Sequence, residues 1–178
     1  MISEPNSSVI RLSQSGDLDA FKNLYRHYEK TVYGFCLRML NNRQDAEDAL
    51  QTTFIKLYRN ISKFRYKARF TTYLIRISRN VCYDIMNQQK KSHKDLEDVE
   101  HPTEAMDSLR HDISKAISYL PERTRECFIL YAVEGYPQNQ IAEILGIRIG
   151  TVKALIFQAR QKLKMWLKDE QEQTNAMS

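Results

Sequence analysis

The chain has 178 residues and a formal net charge of +5, from 27 Lys and Arg against 22 Asp and Glu. With a pI near 9.1, that balance suits a polyanionic partner without requiring one. No apolar run reaches the length of a membrane span, and the opening MISEPNSSVIRLSQSGD has no apolar core like that of a signal peptide, so a cytoplasmic chain without membrane insertion is expected.

Glycine and proline are scarce and fall at punctuation points, which predicts an all-α chain. Residues up to Gln14 are polar and are expected to fray. Asp17 is a good N-cap for LDAFKNLYRHYE, which sets Leu18, Phe21, Leu24, Tyr25 and Tyr28 on one side. A second helix is expected around VYGFCLRML, stopping at Asn41-Asn42.

The third helix is expected near Asp45, where the acidic start of DAEDALQTTFIKLYRNI opposes the helix macrodipole. Ala46, Ala49, Leu50, Thr53, Leu57 and Ile61 form its inward stripe. Asp48, Gln51, Thr52, Ile55 and Arg59 form the outward one. Ile55, in the middle of a polar face, is either a protein contact or one stray exposed apolar residue.

The loop SKFRYKARF follows at 62–70. Lys63, Arg65, Lys67 and Arg69 alternate with Phe64, Tyr66 and Phe70, which is cations to hold a backbone and rings to stack bases. In the next helix, TYLIRISRNVCYDIMN, residues Leu74, Ile77, Ser78, Val81 and Ile85 point inward. Arg76, Arg79, Asn80, Tyr83 and Asn87 point outward, with Asp84 the only acid, at the side. A merely soluble face would more often mix Glu among the cations.

Residues 88–112 turn from basic to acidic, contain Pro102 and lose apolar periodicity. They read as a flexible acidic linker between two helical domains, either a solvating tether or a segment that occupies a basic channel in a partner. The second domain starts near Ile113 with ISKAISYL; Pro121 suits the first turn of PERTRECFILYAV, and Gly135 ends it. Then comes YPQNQIAEILGIRIGTVKALIFQARQKLK: a helix, a tight turn at Gly146 and a longer helix. Val152, Ile156, Ala159, Leu163, Trp166 and Leu167 fall on one side of that last helix. Gly150, Ala154, Phe157, Gln158 and Gln161 fall on the other, and Lys153, Arg160 and Lys164 run down one flank. A polar front and a basic edge suit a helix in the major groove. On spacing alone, an ordinary amphipathic hairpin fits as well. The tail DEQEQTNAMS reads as polar and disordered.

Cys36, Cys82 and Cys127 are odd in number and far apart, with no CxxC or Cys/His cluster. They predict reduced, mostly buried thiols and neither a disulfide framework nor a zinc site. No nucleophile–base pair or metal cluster is apparent, so an enzyme, a cofactor and a metal are not expected.

Taken in order, these segments resemble a bacterial RNA polymerase sigma factor of the extracytoplasmic-function (ECF) group of the sigma-70 family. The resemblance covers roughly 17–168 apart from the linker. It implies three parts: a sigma region 2 bundle over 15–90, a linker over 91–111, and a sigma region 4 helix-turn-helix over 112–168. DAEDALQTTFIKLYRNI is similar to the segment that docks on core polymerase, which assigns that contact to Asp48, Gln51, Thr52, Ile55 and Arg59. FRYKARFTTYLIRISRNVCYD is similar to the segment that melts and reads the −10 element. That assigns single-stranded DNA to Lys63, Arg65, Tyr66, Lys67, Arg69, Tyr73, Arg76, Arg79, Asn80 and Tyr83. The C-terminal hairpin is similar to the module that reads the duplex −35 element, through Gln138, Arg148, Thr151, Lys153, Ala154, Phe157, Gln158, Arg160 and Gln161. Core RNA polymerase, promoter DNA and an anti-sigma factor are the partners implied.

The sequence departs from the family pattern at several positions. Tyr73 stands where a tryptophan is usual, and Arg148 where a serine would cap the recognition helix. Ile149 replaces a frequent acid, and Ala154-Leu155 replaces Ser-Arg. Gln158 and Gln161 retain the groups to pair with adenine edges. Two rival readings make different predictions. A conventional helix-turn-helix regulator would bind a palindrome without polymerase. A pure interaction protein would bind core enzyme without initiating.

Overall fold

The computed structural model describes residues 4–92 and 115–176, and every regular element within them is helical. The chain divides into two compact units, Met1–Pro102 and Thr103–Ser178. Most of the acidic linker, and Ile113 with it, lies outside the described residues.

The first unit opens with α1 (Ser7–Gln14), where fraying was expected. Asn6 caps it by accepting from the Ser8 N–H at 3.0 Å, and Ile10 and Ser13 are buried beneath it. α2 (Leu18–Leu40) is one helix of 23 residues rather than two. Glu29, Lys30 and Thr31 are polar but include no breaker, and the buried stripe continues from Tyr28 through Val32, Phe35, Cys36 and Met39. Asp17 caps it as predicted, accepting from the N–H groups of Asp19 and Ala20 at 2.9 Å. Leu18, placed on the inward stripe by its spacing, is exposed in the first turn, and Ala20 is buried instead.

Asn41, in the left-handed region at φ 52°, ends α2. Asn42 then caps α3 (Arg43–Asn60), which starts two residues before Asp45. Phe54 joins the predicted inward residues; its ring lies 4.6 Å from Tyr25 and 6.5 Å from Phe21. A 3-10 turn (Ile61–Lys63) follows. α4 (Phe70–Ser92) begins inside the stretch expected to be loop, because Phe70 and Thr71 are themselves buried.

In the second unit a short helical segment at 115–118 precedes Pro121 and α5 (Glu122–Phe128). Arg125 bridges the two by donating to the carbonyls of Ser118 and Leu120. α5 loosens into a π-helical turn, Ile129–Val133, and Gly135 ends it at φ 71°. α6 (Gln138–Leu145) closes on Gly146 at φ 65°, a geometry that favours glycine. α7 (Ile149–Ala176) runs through the tail read as disordered; residues 169–176 contain neither Gly nor Pro to stop it. Its inward side is Val152, Ile156 and Ala159, while Leu163 and Trp166 are half-buried and Leu167 is exposed. The three cysteines are free and buried, one in each of α2, α4 and α5.

Candidate nucleic-acid and protein interfaces

The outward face of α3 forms an open groove with α4. Asp45, Asp48, Gln51, Thr52 and Ile55 line one wall, and Ile85, Gln88 and Gln89 the other. Four of the five residues predicted to meet a protein partner are therefore together; Arg59 is exposed but lies outside the groove. Ile55 is 50% exposed. Ile85, placed inward by its spacing, is only half-buried and adds a second apolar wall. Two side-chain pairs tie the helices together. Gln89 donates to Asp45 at 2.7 Å, and Lys56 pairs with Asp84 at 3.0 Å. The groove thus sets Ile55 and Ile85 among amides and carboxylates, a mixture found at protein contacts.

The loop after α3 does not present three rings to solvent. Phe64 and Phe70 are buried, and only Tyr66 is substantially exposed, at 45%. The alternation of cations and aromatics reflects one side packing inward. Phe64 lies 4.9 Å from Tyr66, 5.5 Å from Phe70 and 5.1 Å from Tyr73, measured between ring centroids. The buried rings thus back the outward ones. Tyr73 is half-buried and its hydroxyl donates to the Asn60 carbonyl at 3.2 Å; burial pushes its phenol pKa up. Tyr66 sits at φ 54°, a strained conformation for a residue with a Cβ.

The cations around the rings differ in their engagements. Arg65 and Lys67 are exposed. Lys63 donates to the Asn60 side chain at 3.0 Å. Arg69 pairs with Glu4 at 3.2 Å. On α4, Arg79 lies 4.8 Å over the Tyr83 ring and donates to Asn80 at 3.4 Å, so three predicted residues form one cluster. Arg76 lies half-buried earlier on the same helix. Periodicity does not detect Glu4 and Gln14. Their contacts span 47 to 67 residues of sequence.

In the second unit, Arg148, just before α7, and Thr151, Lys153, Ala154, Phe157, Gln158, Arg160 and Gln161 on it are all exposed, and Gln138 is half-buried at the start of α6. Phe157 is 63% exposed. A Cβ added at Gly150 would meet nothing within 4 Å, so the first turn of α7 leaves room for close approach. Arg160 donates to the Tyr131 hydroxyl at 3.3 Å and lies 5.3 Å over its ring; Tyr131 is a neighbour the sequence reading missed. Beneath this face, the Cys127 thiol points at the Val152 carbonyl at 3.7 Å. Burial, with the Glu126 charge beside it, pushes its pKa up to about 11. Among the described residues no group of His, Cys, Asp and Glu is placed to hold a metal.

Two family models match the chain in order: sigma-70 region 2 over 24–92 and sigma-70 region 4 over 110–163. The chain is 32% identical to the ECF RNA polymerase sigma factor SigW of Bacillus subtilis, over 90% of its own length and 95% of that relative. It is 29% identical to the RNA polymerase sigma-H factor of Pseudomonas aeruginosa, over 90% and 92% of the two chains. Among solved structures, it is similar to the sigma factor RpoE of Bartonella quintana, crystallised with the anti-sigma factor NepR. That match has a TM-score of 0.74 and 26% identity, and covers 85% of this chain and 98% of that one.

Proposed function

The chain belongs to the ECF group of the sigma-70 family, and from that premise we propose how its surfaces divide the work of transcription initiation. As a sigma factor it binds core RNA polymerase and directs promoter-specific initiation. The observation that carries this reading is the ordered pair of matches, region 2 and then region 4, each on its own compact unit. A conventional duplex-binding regulator has no use for the first unit.

In our reading, residues 15–90 bind core enzyme and the −10 element, 91–111 link, and 112–168 bind the −35 element. The α3–α4 groove around Asp48, Gln51, Thr52 and Ile55 receives the polymerase, with Arg59 beside it. α7 enters the major groove. Thr151, Ala154, Phe157, Gln158 and Gln161 face base edges, while Arg148, Lys153 and Arg160 hold phosphates and Gln138 steadies the backbone from α6. At the −10 element, one unpaired base stacks on Tyr66 and Tyr73. Lys63, Arg65, Lys67 and Arg69, together with Arg76, Arg79, Asn80 and Tyr83, hold its strand. Unstacking costs a few kcal/mol, which stacking on tyrosine and contacts to phosphate offset.

The polymerase performs the chemistry; this chain contributes recognition and needs no cofactor for it. No helix among the described residues is long and apolar enough to cross a membrane, and the site of action is the cytoplasm, where polymerase works. An anti-sigma factor is a further partner in this reading, supported by the Bartonella quintana sigma factor having been crystallised with one.

Run-off transcription with purified core enzyme on a promoter library tests the division. Tyr66→Ala and Arg79→Ala should abolish initiation while core binding persists. Ile55→Asp should abolish core binding while the fold persists. Failure of the intact chain to associate with core enzyme at low ionic strength would refute the whole assignment.

A further inference from the structure

The −10 loop is held by a segment that precedes the region 2 match at residue 24. Between Phe64 and Phe70 the chain has no glycine, yet Tyr66 adopts φ 54°. Local sequence does not favour that conformation, so something outside the loop must maintain it. Gln14, the last residue of α1, makes three of the required contacts. Its side-chain N–H group donates to the carbonyls of Ile61 at 3.0 Å and Phe64 at 2.8 Å. Its oxygen accepts from the Tyr66 hydroxyl at 3.2 Å. The amide therefore ties both the start of the loop and the exposed ring to α1.

Glu4 secures the other end. The first turn of α4 contains no acid of its own. The Glu4 carboxylate accepts from the backbone N–H groups of Phe70 at 2.9 Å and Thr71 at 3.2 Å, and from the Thr71 hydroxyl. It thus acts as a helix cap delivered from 66 residues away in sequence. The same carboxylate pairs with Arg69 at 3.2 Å, which fixes where that cation stands relative to Tyr66.

We propose that Glu4 and Gln14 are positioning residues for −10 recognition. Together they clamp both ends of the 64–71 segment, so that Tyr66 and Arg69 are preset for an unpaired base and its strand. Neither residue is required to touch DNA. This rests on the reading of the loop as the −10 site. What it adds is that base selectivity there depends on the N-terminal segment.

The test uses the full chain bound to core polymerase and fork templates whose unpaired −10 strand is randomised. The readout is the binding ratio between the best fork selected by the wild-type chain and a scrambled fork. A ratio is chosen because Glu4→Ala removes a negative charge and would raise affinity for any DNA. Gln14→Ala and Glu4→Ala should each lower the ratio at least about tenfold, the order expected for losing three hydrogen bonds that preset the loop, with core affinity unchanged. Tyr66→Phe should lower it less, and adding it to Gln14→Ala should bring no further loss, since the two share one contact. If Tyr66→Ala collapses the ratio while Gln14→Ala and Glu4→Ala leave it intact, the clamp is wrong and the loop reading stands. If Tyr66→Ala leaves the ratio intact, both fall. A fall in core affinity that parallels the ratio would show a general structural role and would also overturn the proposal.

Discussion

Arg148→Ser should stabilise the second unit and weaken its grip on duplex DNA at the same time. The Arg148 carbonyl accepts from the N–H groups of Thr151 at 2.9 Å and Val152 at 3.2 Å, which makes it the N-cap residue of α7. Its side chain offers no acceptor to the first-turn N–H groups, and its charge opposes the positive end of the helix. Serine corrects both faults. A cap of this kind contributes about 1 kcal/mol, and relief of the unfavourable charge adds a few tenths. For a unit of this size, that raises Tm by about 5 °C. Losing one phosphate contact should flatten the dependence of log affinity on log salt by about 0.9. The stability change is read by calorimetry on the full chain, with amide exchange at Thr151 and Val152 to locate it. The salt slope is read with holoenzyme on −35 duplex. A lower Tm would refute the capping argument. An unchanged slope would refute the phosphate contact.

The two aromatics of the loop should separate structure from function. Phe64→Ala empties a buried position and should cost about 3–5 kcal/mol in denaturant unfolding, whereas Tyr66→Ala, half exposed at 45%, should cost far less while abolishing promoter opening. Gly146→Ala should cost about 1 kcal/mol through backbone strain alone, because a Cβ there meets nothing within 4 Å but must sit at φ 65°; chemical denaturation measures it. Cys127 has a thiol raised from 9.0 to about 11, so the stability it contributes is fully present below pH 9 and is lost as pH rises toward 11, where the unfolded thiol ionises first. Replacing it by alanine should flatten the pH dependence of stability across that window, and maleimide labelling of the native chain at neutral pH should spare it.

Most of the helices were legible because they are amphipathic at one period and bounded by residues with a clear mechanism. Asp17 and Gly146 stand where capping chemistry demands them. α2 is one helix rather than two because Lys30 and Thr31, between the two predicted runs, contain no breaker and the stripe from Tyr28 to Val32 crosses them in register. The aromatic loop differs from expectation for another reason. Its alternation fits interleaved exposure, but alternation also describes a segment with one side buried, as Phe64 and Phe70 are. The polarity of the first 14 residues predicts fraying, and α1 indeed buries only Ile10 and Ser13. What makes this segment count is a set of long-range hydrogen bonds from Glu4 and Gln14, and no local pattern encodes those.

Exposed apolar residues scattered singly over a surface are ordinary and mean little. Among the described residues eleven large apolar side chains are exposed, and three of them lie on the surfaces proposed above. Ile55, Tyr66 and Phe157 are 50%, 45% and 63% exposed, and each stands within a different one of the three faces assigned from sequence. Each is surrounded by groups suited to a different partner. Ile55 shares its groove with amides and carboxylates, which suits a protein rim. Tyr66 stands between Arg65 and Lys67 and is backed by the Phe64 ring at 4.9 Å, which suits a base on its free face and phosphates alongside. Phe157 is followed by Gln158 and flanked by Lys153, Arg160 and Gln161 at helical spacing, which suits a groove edge. In the proposed assembly, polymerase and promoter cover these three side chains, which the free protein leaves open.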